Sequence, residues 1–127
     1  MQADAKILKL VVTLNRLTSL GTLKWAVAEP PWRLTTGADV TVPLYLEVHH
    51  KGQRYALYQE RRRRYDGDRD QFYGVEDLVL VVIDLDGHVL LEVREPYSAL
   101  DDLFKRARAG LVDLDSILND LGDPDGE

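Results

Sequence analysis

Cysteine is absent from this chain of 127 residues, so disulfides, thiolate nucleophiles and zinc–sulfur sites are all excluded. Long apolar runs are missing too. Nothing approaches the ~20 apolar residues of a membrane-crossing helix, and Met1-Gln2-Ala3-Asp4 places an acid where a secretion signal carries bases. The expectation is a cytoplasmic protein that does not enter a membrane. Histidine is scarce, with three in the chain. His49 and His50 are neighbours and point to opposite faces of a strand, while His88 lies near a different turn, so no metal site and no cofactor are expected. No serine–histidine–acid arrangement is visible from spacing. Internal repeats and linkers are also lacking. A surplus of positive charge is absent overall: the net charge of −6 disfavours general nucleic-acid binding.

What is present is ordinary globular material, 45% hydrophobic and 30% charged. The length predicts a single domain over residues 1–122, followed by a flexible acidic tail over 123–127. The charge is uneven: residues 1–74 carry a surplus of +4 and residues 75–127 a surplus of −10. Such a split favours oriented association with a partner or with a second copy.

The stretch 75–95 organises the rest. Leu78 to Ile83 is an unbroken apolar run, Asp84-Leu85-Asp86-Gly87 is a turn sequence, and Val89, Leu91 and Val93 then alternate with mostly polar residues. This predicts a β-hairpin whose first strand is covered on both faces. The turn is placed at Leu85-Asp86-Gly87, a type I turn with Gly87 left-handed, which sets Val79, Val81 and Ile83 on one face with Val89, Leu91 and Val93. A two-residue turn at Asp86-Gly87 would set Leu78, Leu80 and Val82 there instead, and the sequence does not exclude it.

Residues 4–20 predict a helix with the stripe Ile7, Leu10, Leu14 and Leu17, widened by Val11, and Gly21 at its C-cap. Residues 22–28 predict a short strand with Trp25 in the core, followed by a loop at Glu29-Pro30-Pro31-Trp32. Residues 40–50 alternate, with Val42, Leu44, Leu46 and Val48 facing inward and Thr41, Tyr45, Glu47 and His49 outward. Pro43 predicts an edge or a strand start. After the turn Lys51-Gly52, residues 53–63 return with Tyr55 and Leu57 opposite Val48 and Leu46. Residues 65–74 read as a polar loop. Ser98 is the expected N-cap of a helix with stripe Leu100, Leu103, Phe104 and Ala107, stopped at Gly110. A second short helix carries Leu114, Ile117, Leu118 and Leu121 and stops at Gly122. The fold class is therefore α+β: an antiparallel meander of about five strands, with an N-terminal helix and two C-terminal helices packed on it.

Two constellations could carry chemistry. Residues 79–90, with Asp84 and Asp86, resemble the first motif of haloacid-dehalogenase-type phosphatases. The resemblance implies a phosphate-handling hydrolase with Asp84 as nucleophile, Asp86 as general acid/base and Mg²⁺ on the carboxylates. It covers about ten residues, needs a parallel sheet with the motif near its start, and meets His88 where that family has threonine or valine. The same four residues are a common hairpin turn, which is the preferred reading. They do not form a calcium loop, which needs three spaced oxygen ligands and a closing glutamate. The second constellation is Arg61, Arg62, Arg63 and Arg64, flanked by Tyr58, Tyr65, Phe72 and Tyr73. It is a candidate binding site for an acidic protein partner, for a second copy or, as an alternative, for nucleic acid or a nucleotide. Glu60, Asp66, Asp68 and Asp70 beside it, and its place on an edge strand that resists pairing, offer a plainer explanation. Trp32, beside two prolines and Arg33, is a further candidate contact residue.

Gly21-x-x-x-Trp25 after a leading helix, the Asp84-Leu85-Asp86-Gly87 hairpin, and Leu100-x-x-Leu103 leading to Val112, Ile117 and Leu121 resemble a small bacterial α+β domain family of adaptor or accessory type. The resemblance implies a non-catalytic protein–protein interaction module with no catalytic residues to carry over. A homodimer is expected, through the helical surface or an uncovered sheet face.

Overall fold

The computed structural model describes residues 2–31 and 40–122. In chain order it contains α1 (Gln2–Ser19), β1 (Ala26–Val27), β2 (Val40–His50), β3 (Gln53–Asp66), β4 (Gln71–Ile83), β5 (Val89–Val93), α2 (Ser98–Ala109) and α3 (Leu114–Leu121). The five strands pair antiparallel in the order β1-β2-β3-β4-β5, so the sheet is the expected meander. Trp32 and the tail 123–127 lie outside the described residues.

Leu46, Leu57, Leu80 and Val93 form one row across β2 to β5, each opposite the next, and all are fully buried. Val11 and Leu14 of α1 and Leu100, Leu103, Phe104 and Ala107 of α2 complete that core, with Ile7, Leu10 and Leu17 packed at its margin. The three-four spacing read from the sequence is thus the face that α1 and α2 turn to the sheet. Gly21, at φ 79°, closes α1: its N–H bonds to Thr18 O at 3.1 Å and that of Thr22 to Leu17 O at 3.0 Å. The chain then turns Trp25 into the core, where its indole N–H donates to Thr18 Oγ1 at 3.0 Å.

The opposite face of the sheet differs from the wet face the alternation predicts. Tyr45, Ala56, Tyr58, Val79, Val81 and Ile83 form a second buried cluster there, with Ala28 and Val42 against it. Tyr45 is therefore core. Val42 joins it, and not Leu44, because the pairing of β2 with β3 slips between Thr41 and Leu44. Pro43 sits in that slip, where its missing N–H breaks no ladder bond with β1, which reaches only Leu46 and Glu47.

At the β4–β5 turn, Gly87 donates to Asp84 O at 3.1 Å and has φ 86°, as the type I reading requires. The predicted facing is nevertheless reversed. Ile83 pairs with Val89 but Val82 pairs with Leu91, so β5 carries one extra residue at Leu90. That bulge turns Leu91 and Val93 onto the face of Leu80 and Val82.

Two further departures concern ends and packing. The N-cap of α2 is Tyr97, not Ser98, and no side chain caps it. α3 is capped by Asp113, which accepts from the Ser116 N–H at 3.2 Å, yet none of its residues is buried.

Candidate functional site

Residues 65–74, read as a loop, are mostly strand. β3 runs on to Asp66 and β4 begins at Gln71, so the turn shrinks to four residues, 67–70. Among the described residues β2 pairs no further than Arg62 and β5 no further than Leu80. The pairs Arg63–Gly74, Arg64–Tyr73, Tyr65–Phe72 and Asp66–Gln71 therefore project as a two-stranded ribbon. An isolated ribbon of this kind is marginal in water, and cross-strand aromatics support it. The Tyr65 and Phe72 rings meet tilted at 55°, 5.3 Å between centroids, and the Arg63 guanidinium lies 4.5 Å over Phe72. Gly74 opposite Arg63 has no side chain, which lets Arg63 lean diagonally onto Phe72. Asp70 takes a left-handed φ of 50° at the turn, and Tyr65 Oη donates to its carboxylate.

The ribbon divides the four arginines. Because side chains alternate along a strand, Arg61 and Arg63 lie on the face of Phe72, and Arg62 and Arg64 on that of Tyr73. Arg61 pairs with Glu76 at 3.3 Å and Arg62 with Glu60. Arg63 and Arg64 have no carboxylate partner among the described residues. The run is thus not one basic patch but two exposed cations on opposite faces, flanked by aromatics. Phe72 is 61% exposed, and Tyr65 and Tyr73 are about half exposed.

The second exposed apolar surface is α3. Leu114, Ile117, Leu118 and Leu121 fall at helical spacing on one side, with Leu111 and Val112 leading in, and Leu121 is 76% exposed. Asp115, Asn119 and Asp120 occupy the other side. A capped, strongly amphipathic helix none of whose apolar residues is buried is an unusual surface feature.

Two carboxylates missed by sequence reasoning anchor the second sheet face. Glu60 is 2% exposed; it accepts two bonds of 3.0 Å from Arg94, at Nη1 and Nη2, and another from Arg62. Burial alone would raise its carboxyl, but the Arg94 and then the Arg62 hydrogen bonds outweigh that and hold it below the ordinary glutamate value. Glu47 is the centre of a similar group: burial raises it, while bonds from Arg54, His49 and Tyr45 prevail and lower it. The available signal was the strand alternation itself, which puts Glu60 on the same face as Ala56 and Tyr58. Both groups are saturated with fixed partners, which suits a structural role better than a catalytic one.

Asp84 serves the turn. Its Oδ1 accepts from the N–H groups of Asp86 and His88, at 3.0 and 2.8 Å, and Oδ2 faces His88 Nδ1 at 3.2 Å. The His88 backbone bond is the main reason its carboxyl is lowered. The Asp84, Asp86 and His88 ligand atoms lie within 4.8 Å of one another, but an aspartate whose oxygens already hold the turn is poorly placed as a nucleophile. The strands beside it are antiparallel, whereas the phosphatase resemblance requires a parallel sheet.

No family model, no curated protein and no solved structure matches this chain. No helix among the described residues is long and apolar enough to cross a membrane.

Proposed function

We propose that this chain is a non-catalytic, cytoplasmic protein-binding module of adaptor type, as its resemblance to a bacterial accessory family implies, and that α3 is its principal contact element. One observation carries the reading. α3 has a side-chain N-cap and an apolar stripe with every residue of the helix outside the core. Half-burying such residues against a partner contributes roughly 1 kcal/mol each, which gives a short helix enough apolar area to act as an anchor. The saturated carboxylates at Glu47 and Glu60, and the turn role of Asp84, support a binding function over a reaction. The ribbon with Arg63 and Arg64 supplies a second surface, whose split charges favour a protein contact over a nucleic-acid track.

The test uses the full chain immobilised and exposed to native cell extract. The intact chain retains a stoichiometric protein, and the double substitution Ile117→Asp with Leu121→Asp releases it without lowering the melting temperature. Equal retention by both chains, or none by either, defeats the reading.

A further inference from the structure

The remaining question is what covers α3. Its own chain does not seat it on the ribbon, since the apolar residues of both are exposed. The first turn of α2 lies beside Glu76, Asp77 and Leu78, at the ribbon's foot. The last turn of α2 lies beside Thr18, Leu23 and Trp25, toward the other end of the sheet. α3 keeps Leu114 and Leu121 largely exposed, and the ribbon keeps Tyr65, Phe72 and Tyr73 exposed, so neither surface covers the other.

The two bare surfaces match. Residues 61–74 contain five arginines against three aspartates, and residues 111–122 contain three aspartates and no lysine or arginine. The ribbon face with Tyr65, Phe72 and Arg63 is on the same side of the sheet as α1 and α2, so it forms a shelf projecting beyond the N-terminus of α2. Its aromatic floor suits leucine and isoleucine, and Arg63 stands ready for an aspartate at the rim.

We propose that the partner is a second copy of this chain, and that α3 of each copy seats its Leu114–Ile117–Leu118–Leu121 stripe on the Tyr65–Phe72 shelf of the other. The inference rests on the protein-binding reading of α3. Helix and shelf are separate surfaces of one chain, so two reversed copies can make both contacts at once. The arrangement is two-fold and closed, leaving no unfilled shelf to propagate a fibre. Opposite charges at the rim make association salt-sensitive.

Light scattering on the full chain reads the mass, and a mixing experiment reads the pairing. The intact chain is a dimer at tens of micromolar, weakened roughly tenfold on going from low to high salt. Ile117→Asp with Leu121→Asp removes the helix stripe, and Tyr65→Ser with Phe72→Ser removes the shelf. Each variant alone is monomeric, with an unchanged circular dichroism spectrum. Mixed together they recover a heterodimer, because one copy retains a shelf and the other a helix. A monomeric intact chain overturns the inference, as does a dimer that survives either double substitution, or a mixture that stays monomeric. In any of these cases, retention of a different protein through α3 from cell extract would leave the protein-binding reading standing.

Discussion

Arg94 reaches from the end of β5 across β4 to Glu60 on β3 and grips it with two parallel N–H···O bonds of 3.0 Å. The pair ties the edge strand β5 to the middle of the sheet. It also allows a buried charge to sit beside Tyr58, on the sheet face of the second cluster. The guanidinium fork matches the carboxylate, and Arg62 holds the same oxygen from the other side.

Removing Arg94 therefore does more than delete a contact. Arg94→Ala leaves Glu60 buried with one partner, and a loss of about 3 kcal/mol is expected in urea unfolding. Replacing both, Glu60→Leu with Arg94→Met, is expected to recover most of that loss. If the single substitution were as stable as the intact chain, the pair would hold nothing together.

Acid should act through the same group. The folded Glu60 and Glu47 carboxyls lie below their ordinary value of 4.5, so the unfolded chain binds protons more readily. Their contribution is complete above that value and is lost as the pH falls through the lower folded values. Unfolding free energy measured down the acid range should fall, and the fall should flatten in Arg94→Ala.

Alkali should act through tyrosine. The Tyr58 hydroxyl is buried with no hydrogen-bond partner among the described residues, and burial is the first cause pushing its phenol from 10.0 up to about 12. Here the folded value is the higher one, so stability is complete below pH 10 and declines as the pH rises towards about 12. An ultraviolet titration should show late-ionising phenols, one fewer in Tyr58→Phe, because burial also pushes Tyr45 up and that phenol remains. Because the hydroxyl satisfies nothing where it lies, Tyr58→Phe should be neutral or slightly stabilising. Tyr45→Phe, which forfeits a 3.1 Å bond to Glu47, should not be.

The β4–β5 turn separates steric demand from chemistry. Gly87 has open space around a would-be Cβ but a φ of 86°, so Gly87→Val should destabilise through backbone strain by more than ~1 kcal/mol. Asp84→Asn keeps an oxygen for the Asp86 and His88 N–H groups and should fold almost as well. Loss of Mg²⁺-dependent phosphate release from a test ester on Asp84→Asn would instead reinstate a catalytic role for this turn.

Local physics made most of the elements readable in the sequence. The α1 stripe, the pairing of Leu46 with Leu57 and Val48 with Tyr55, the Gly87 turn and the ends of α1 and α3 follow from periodicity and from residues suited to one backbone conformation. Each depends on a few neighbours along the chain. Among the candidate site residues, the sequence located the arginine run but not its division between two faces of a projecting ribbon.

Tertiary structure decided the rest, because those outcomes depend on partners far apart in the sequence. One extra residue at Leu90 reversed the facing of β5, and the hydrophobic pattern there suits either facing. Burial of Glu60 awaited an arginine 34 residues away. The stripe of α3 reads the same whether it is core or contact surface. Its exposure follows from where α2 ends: the sheet face that could have covered α3 is already filled by α1 and α2.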